Sequence, residues 1–234
     1  MRLKALIFDV DGTIANTEHR GHLPACNEAF ATLGYPIKWS WEEFKAMQPI
    51  PGNALRMRKS LQEWDEKLSD TELDERVNQL IALKKRFYIE KYLPELPVRD
   101  GVVDIMQEAL DCGVRLAVVS MSYEAQVNAL LSRHLPHIYS YLRPILGKES
   151  GPKTAPDSPL YRQCLLELGT SVEETLVIED SEEGFAAAKR AGIPCAVMYN
   201  DYTFGKSFAG AQLVARSLAF FSLAQLEALC LPES

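Results

Sequence analysis

From about residue 99 onward, the chain alternates between helix-like and strand-like hydrophobic patterns. Apolar residues at helical spacing run from Val102 to Leu110 and stop at Gly113, and the continuous apolar run VRLAVVS follows at 114–120. The same order recurs twice, with helical patterns over 159–168 and 184–191 followed by the apolar runs TLVIED at 175–180 and PCAVMY at 194–199. Short apolar strands joined by helices predict an α/β fold with a doubly wound parallel sheet.

Residues 16–97, which separate the first apolar run from this alternation, have a purely helical pattern. Leu23, Cys26 and Phe30 recur on one helical face, and Ser69-Asp70-Thr71-Glu72 has the form of a capping box that opens a long helix. This pattern predicts an all-helical cap domain within an α/β core. We call this cap domain the helical insert. The predicted core comprises residues 1–15 and 98–234, and the predicted helical insert comprises residues 16–97.

Charged and hydroxyl side chains stand at the carboxyl ends of the predicted strands. They are Asp9 with Asp11 after the first apolar run, Ser120 with Ser122, and Glu179 with Asp180. In open α/β sheets, ligands bind at this edge. Because two nearby carboxylates each disfavour ionisation of the other, the first pair implies a cation, a shared proton or water.

Composition excludes several classes of function. The 234 residues carry a net charge of -7 without a basic block, which disfavours a nucleic-acid partner. No apolar run approaches the ~20 residues that span a bilayer, and the N-terminus lacks a signal-peptide pattern, so we expect no membrane association. The five cysteines are widely spaced without a CxxC motif, as expected of reduced thiols. We therefore expect a cytoplasmic protein, and a monomer.

Four motifs in this order, split by a helical insert, resemble the haloacid dehalogenase superfamily. They are FDVDGT with Asp9 and Asp11, VVSMS with Ser120, KTAPDSPLY with Lys153, and IEDSEEG with Glu179 and Asp180. The resemblance covers nearly the whole chain and implies a Rossmann-like core with an inserted cap. It also implies a phosphatase in which Asp9 becomes an aspartyl phosphate and Asp11 acts as general acid and base. Lys153 and Ser120 would hold phosphate oxygens.

The chemistry of phosphoryl transfer gives each of these residues a reason. Because the phosphate is already anionic, catalysis is mostly positioning and positive charge. The carboxylates of Asp9, Glu179 and Asp180, with the main-chain carbonyl of Asp11, make a set of hard oxygen ligands that suits Mg²⁺. Dehalogenating and phosphonate-cleaving relatives lack a carboxylate at the second position. The presence of Asp11 therefore favours a phosphate ester as the substrate.

Simpler structural roles are open for several of these residues. Glu179 and Asp180 could cap the helix that follows them, because carboxylates favour helix N-termini. Ser120 and Ser122 could cap a helix that starts near Tyr123. Lys153 could be a solvated surface lysine, since most lysines are exposed.

Within the superfamily, the segment TEHRGH and the helical insert resemble the β-phosphoglucomutase and CbbY-like phosphatase branch. The substrate-binding residues that this resemblance implies are Glu18, His22, Arg56, Lys84 and Ser122, with Arg58 as an alternative to Arg56 for a distal phosphate. Lys84 lies in the run Lys84-Lys85-Arg86, which is equally typical of a solvated helix face. The expected partner is a small phosphorylated metabolite, namely a sugar phosphate or sugar bisphosphate.

Other functions would use similar residues. A phosphomutase would return the phosphoryl group to the sugar, but His22 lies one residue further from Asp9 than in the mutases, which favours hydrolysis. A receiver-type signalling module also combines acidic residues, a hydroxyl, a lysine and Mg²⁺, but receivers are shorter and lack a helical insert. A pseudo-enzyme used for binding is disfavoured because no motif residue is missing.

Overall fold

The computed structural model describes residues 2–231 as alternating strands and helices. The strands are β1 Ala5–Phe8, β2 Arg115–Val119, β3 Leu142–Leu146, β4 Thr175–Glu179, β5 Cys195–Met198 and β6 Leu213–Ala215. The helices are α1 Leu23–Thr32, α2 Trp41–Ala46, α3 Gly52–Trp64, α4 Asp70–Phe87, α5 Val102–Asp111, α6 Glu124–His134, α7 Pro159–Leu168, α8 Glu182–Arg190 and α9 Leu223–Cys230. Two π-helical turns, Glu18–His22 and Tyr88–Tyr92, flank the helices of the insert.

Within the described residues, the strands form one six-stranded sheet in the order β3-β2-β1-β4-β5-β6. Every neighbouring pair is parallel, and Ile7 of β1 pairs with Ala117 of β2 on one side and Val177 of β4 on the other. All residues of β1 and β4 are buried, as expected for central strands covered by helices on both faces. The predicted doubly wound parallel sheet is confirmed, and the carboxyl ends of the strands meet at one edge.

The structure divides into two compact units. The core unit comprises Met1–Asn16 and Pro97–Ser234, and the helical insert comprises Thr17–Leu96. Apolar residues of β1, β2, β4 and β5 pack with α7 and α8 into the core of the first unit. Among residues 2–231, no helix has the length and apolar composition needed to cross a membrane.

The helical insert has a hydrophobic core of its own. Phe30, Phe44 and Leu80 are fully buried within it, and Trp39 packs edge-on against Phe30 with 5.1 Å between ring centroids. Trp39 is therefore a core residue. The predicted capping box at the start of α4 is present, because Ser69 accepts a hydrogen bond from the amide of Glu72 while Glu72 accepts one from the amide of Ser69.

Candidate active site

A tight turn at the carboxyl end of β1 presents the first two acidic residues. The amide of Asp9 donates to the carbonyl of Ile178 at 3.0 Å, which extends the pairing of β1 with β4 and keeps the Asp9 side chain buried. The chain then turns through Gly12, whose φ is +89°. A Cβ at Gly12 would come within 3.0 Å of the Asp180 carboxylate, so the turn packs directly against β4. The Gly in FDVDGT is required by both conformation and space.

Lys153 is buried between two carboxylates. Its ammonium lies 2.7 Å from Oδ1 of Asp9 and 2.5 Å from Oε1 of Glu179, and its side chain is 1% exposed. Burial favours a lower pKa for Lys153, but these two carboxylates outweigh it and raise the pKa well above its ordinary value. The ammonium therefore stays charged, and Lys153 is not a solvated surface residue.

The site holds more negative charge than Lys153 can balance. Burial raises the pKa of Asp9 to about 7, with Lys153 opposing this shift and Glu179 adding to it. Burial, together with Glu179 and Asp9, also raises the pKa of Asp180 well above its ordinary value. One carboxylate oxygen from each of Asp9, Glu179 and Asp180 lies within 4.8 Å of the others. Three buried carboxylates, two of which contact the single Lys153 ammonium, favour a second cation, and their oxygen atoms fit Mg²⁺.

Glu179 is held by the start of α8 and by the lysine. Its Oε2 accepts hydrogen bonds from the amides of Asp180 at 2.9 Å and Ser181 at 3.1 Å, and from the Ser181 hydroxyl at 3.1 Å. Its Oε1 accepts from Lys153. Ser181 in turn caps α8 by accepting from the amide of Gly184. The helix cap is thus Ser181, which leaves the acidic pair for the site.

Asp180 is oriented by three donors. The Thr13 hydroxyl donates to its Oδ1 at 3.2 Å, and the Asn200 amide and the Tyr202 hydroxyl donate to its Oδ2 at 2.6 Å and 3.4 Å. The side-chain oxygen Oδ1 of Asn200 accepts from the main-chain amides of Tyr202 and Thr203, so the NH₂ end of the Asn200 side chain faces Asp180. Asp180 therefore has a single preferred orientation, as is usual for a metal ligand held by an outer layer of hydrogen bonds.

The hydroxyl motif lies next to Asp11. The Ser122 hydroxyl donates a hydrogen bond to Oδ2 of Asp11, and the buried Ser120 hydroxyl accepts one from the Ser122 amide at 3.0 Å. The N-cap of α6 is Tyr123, so neither serine occupies that position. The structure thus brings Asp9, Asp11, Ser120, Ser122, Lys153, Glu179 and Asp180 together at the carboxyl edge of the sheet.

The helical insert contains a polar cluster formed by the side chains of His22, Lys84 and Tyr88, and Glu18 begins the π-helical turn that ends at His22. Lys84 is 3% exposed, and its ammonium lies 2.9 Å from Nδ1 of His22 and 5.0 Å from the ring centroid of Tyr88. His22 stacks on Tyr88 with 4.3 Å between centroids. Oε2 of Glu18 is buried without a hydrogen-bond partner. Lys84 is therefore not part of a solvated face, and a role of this cluster in substrate binding stays a prediction.

The two arginines proposed for a distal phosphate have other contacts. The Arg56 guanidinium is buried and donates to the carbonyls of Ile50 at 3.0 Å and Gln48 at 3.4 Å. Arg58 forms ion pairs with the carboxylates of Asp70 and Asp74 on α4. Arg56 thus shapes the loop before α3, and Arg58 links α3 to α4. A role of either arginine in phosphate binding stays a prediction.

Sequence reasoning missed several residues of the site. Thr13 is the last residue of the FDVDGT motif, and its hydrogen bond to Asp180 was not predicted from the sequence. Asn200 and Tyr202 come just after β5, and polar residues at the carboxyl end of a parallel strand are the sequence signal that identifies them.

Comparisons with known proteins agree with this geometry. The chain matches the family model of haloacid dehalogenase-like hydrolases over residues 6–198. It is 34% identical to the plasmid-encoded protein CbbY of Cupriavidus necator over 217 residues, which cover 91% of this chain and 84% of that protein. It is 27% identical to phosphoglycolate phosphatase 1 of Pseudomonas aeruginosa over 209 residues, with 88% and 73% covered. A crystal structure of a mutant CbbY from Rhodobacter sphaeroides in complex with xylulose-(1,5)bisphosphate has a TM-score of 0.82 and 29% identity, and covers 96% of this chain and 99% of that chain.

Proposed function

Since this chain belongs to the haloacid dehalogenase-like hydrolase family and is a phosphatase of that family, we propose that it hydrolyses a sugar phosphate or sugar bisphosphate in a Mg²⁺-dependent reaction. The observation that carries the proposal is the buried group formed by Asp9, Lys153, Glu179 and Asp180 at the carboxyl edge of the sheet. Phosphoryl transfer needs such a combination of an anionic nucleophile and concentrated positive charge.

Asp9 is the proposed nucleophile. One of its carboxylate oxygens attacks phosphorus, the bond from phosphorus to the ester oxygen breaks, and an aspartyl phosphate forms on Asp9. Asp11 donates a proton to the departing oxygen, then accepts one from the water that hydrolyses the intermediate. The hydrogen bond from Ser122 to Asp11 holds this carboxyl group in place during both steps.

Lys153 and Ser120 bind the oxygens of the transferred phosphate. The ion pair with Glu179 keeps the Lys153 ammonium charged and beside Asp9. Mg²⁺ held by Asp9, Asp180 and the Asp11 carbonyl would supply further positive charge, which lets an anionic carboxylate approach an anionic phosphate. Glu179 is proposed as the fourth residue of this metal site, and its bonds to Lys153 and to the start of α8 place its carboxylate beside the other two.

A sugar substrate is supported by the relatives and by the polar cluster of the helical insert. The related CbbY from Rhodobacter sphaeroides was crystallised with xylulose-(1,5)bisphosphate. In this chain, the carboxylate oxygen of Glu18 that has no hydrogen-bond partner is suited to accept from a sugar hydroxyl, and the buried Lys84 ammonium is suited to a sugar hydroxyl or a second phosphate. We assign Glu18, His22, Lys84 and Arg56 to recognition of the part of the substrate that does not react. The monomeric state and cytoplasmic location stay predictions.

The proposal is tested by measuring phosphate release from a panel of sugar monophosphates, sugar bisphosphates and a small aryl phosphate, with Mg²⁺ and with excess chelator. We expect release from a sugar substrate that stops on chelation, and that is abolished in Asp9→Asn, which removes the nucleophilic charge at constant shape. Asp111→Asn, an exposed aspartate at the end of α5, serves as the matched control and should be fully active. Unaltered release by Asp9→Asn, or interconversion of sugar monophosphates without free phosphate, would overturn the proposal.

A further inference from the structure

Arg99 connects four main-chain carbonyls of the core unit. It lies just after the helical insert ends at Leu96, and its guanidinium donates to the carbonyls of Met198 at 2.6 Å, Tyr199 at 2.8 Å and Arg216 at 2.7 Å, and to that of Gly12. Gly12 belongs to the turn after β1, Met198 and Tyr199 to the end of β5 and the residue after it, and Arg216 to the segment that follows β6. One side chain therefore ties together three chain segments that are distant in sequence.

The backbone of Arg99 reinforces this position. Its amide donates to the carbonyl of Ile14 at 2.8 Å, and the neighbouring Val98 forms an antiparallel bridge with Ala15. The segment Val98–Arg99 is thereby held against the turn that contains Gly12. Because both its main chain and its side chain bond to this turn, Arg99 cannot shift without displacing it.

The acceptors of Arg99 lie next to the residues that hold Asp180. Gly12 is followed by Thr13, which donates to Oδ1 of Asp180, and Tyr199 is followed by Asn200, which donates to Oδ2. The amide of Asn200 also reaches the Gly12 carbonyl at 3.5 Å. Each carboxylate oxygen of Asp180 therefore accepts a hydrogen bond from a residue that directly follows an acceptor of Arg99.

Only an arginine can make these contacts. The guanidinium presents five donors in a rigid planar fork, which lets it reach four carbonyls in different directions. A lysine has a single point of charge and three donors, so it would satisfy one or two of these carbonyls and leave the others unbonded.

We propose that Arg99 is a positioning residue for the candidate active site. Its hydrogen bonds fix the position of the turn that contains Gly12 and Thr13 relative to the segment that contains Tyr199 and Asn200. Because Thr13 and Asn200 bond to Asp180, Arg99 thereby fixes the position of Asp180 relative to Asp9 and the Asp11 carbonyl. The inference rests on the proposed function, because it concerns the residues assigned there to Mg²⁺ and to phosphoryl transfer.

The test compares Arg99→Lys and Arg99→Met with Arg115→Met. Arg115 also bonds a main-chain carbonyl, that of Leu168, but at the amino end of β2, away from the site. Three quantities are measured for each variant: thermal stability, Mg²⁺ affinity by calorimetry without substrate, and kcat and KM for the best substrate of the panel. Loss of an outer-layer partner of a metal ligand typically weakens affinity or activity by about 10 to 100-fold.

We expect Arg99→Lys to fold and to lose at least about tenfold in Mg²⁺ affinity and in kcat, with a much smaller change in KM. Arg115→Met should match the wild type in all three kinetic and binding values. If Arg99→Lys loses only thermal stability and keeps its Mg²⁺ affinity and kcat, Arg99 is merely structural and the inference is wrong. If Arg99→Met does not fold, the Mg²⁺ affinity and kcat of Arg99→Lys still decide between a positioning role and a merely structural one. Absence of phosphate release in the wild type would overturn the proposed function, while the calorimetric comparison would still test Arg99.

Discussion

Replacing Gly184 with alanine tests how closely α8 packs against the site. Gly184 lies in the first turn of α8, and a Cβ there would come within 3.0 Å of both carboxylate oxygens and of Cδ of Glu179, closer than real Cβ atoms approach other atoms. Glu179 is fully buried and bonded to Lys153, Asp180 and Ser181, so it has no free space into which to retreat. Either the helix start or the carboxylate must move.

We expect Gly184→Ala to destabilise the protein, whereas replacing glycine with alanine at an unobstructed helix position stabilises it. Gly to Ala in an unobstructed helix stabilises by roughly 0.5–1 kcal/mol, whereas overpacking a buried site costs typically about 1–3 kcal/mol. Restoring an ordinary van der Waals separation requires a shift of more than about 1 Å. Because a displacement of about 1 Å at a reacting group costs roughly 100-fold in rate, we expect kcat to fall by about that factor and stability by about 2 kcal/mol.

The measurements are urea unfolding and phosphate release at saturating Mg²⁺. Gly192→Ala is the control, because Gly192 has a φ of +75° and open space around its Cβ position. It should lose about 1 kcal/mol through backbone strain while keeping its kcat. If Gly184→Ala is as stable and as active as the wild type, the packing argument is refuted. A loss of stability with unchanged kcat would show that the position of Glu179 does not matter for turnover.

Three further predictions follow from the same contacts. Because burial raises the pKa of Asp9 to about 7 from the usual 3.8, the free energy of unfolding of the metal-free protein should fall as the pH rises from about 4 to about 7. Mg²⁺ affinity, measured by calorimetry, should strengthen over the same interval because the competing proton leaves Asp9, and a pH-independent affinity would contradict this. Glu18→Ala and Lys84→Ala should lower kcat/KM for a sugar phosphate much more than for a small aryl phosphate, and equal losses would exclude both residues from recognition. Iodoacetamide should label the exposed Cys112 in the native protein, whereas the buried Cys26, whose pKa burial raises to about 12, should react only after unfolding, as mass spectrometry can show.

The central strands could be predicted from the sequence because they are apolar on both faces. β1 is apolar throughout and β4 is apolar between Thr175 and Glu179, and every residue of both strands is buried. β3 escaped prediction because its sequence LRPIL contains an exposed arginine and a proline, which interrupt the apolar run. β6 escaped because it is a short strand at the sheet edge with only partly covered residues.

The motif residues of the site were predictable for a topological reason. Carboxyl ends of parallel strands share one edge, so polar residues that follow different strands meet in space. Asp9, Glu179 and Asp180 are brought together in this way. Lys153 lies in the loop between β3 and α7, so it was predicted only through the family resemblance. The contacts of Arg99 could not be foreseen, since hydrogen bonds to main-chain carbonyls leave no pattern in the identities of the acceptor residues.

The position of β1 in the sheet also affects how the protein is made. β1 leaves the ribosome before the other described strands, yet its Ala5 pairs with Arg115 and Thr175, which are synthesised much later. The helical insert emerges between them and carries its own hydrophobic core, and units of this kind fold in the order of their synthesis. A newly made chain therefore exposes the apolar Ala5–Phe8 segment until β2 and β4 arrive, and a chaperone that binds extended apolar segments has that interval in which to act on it.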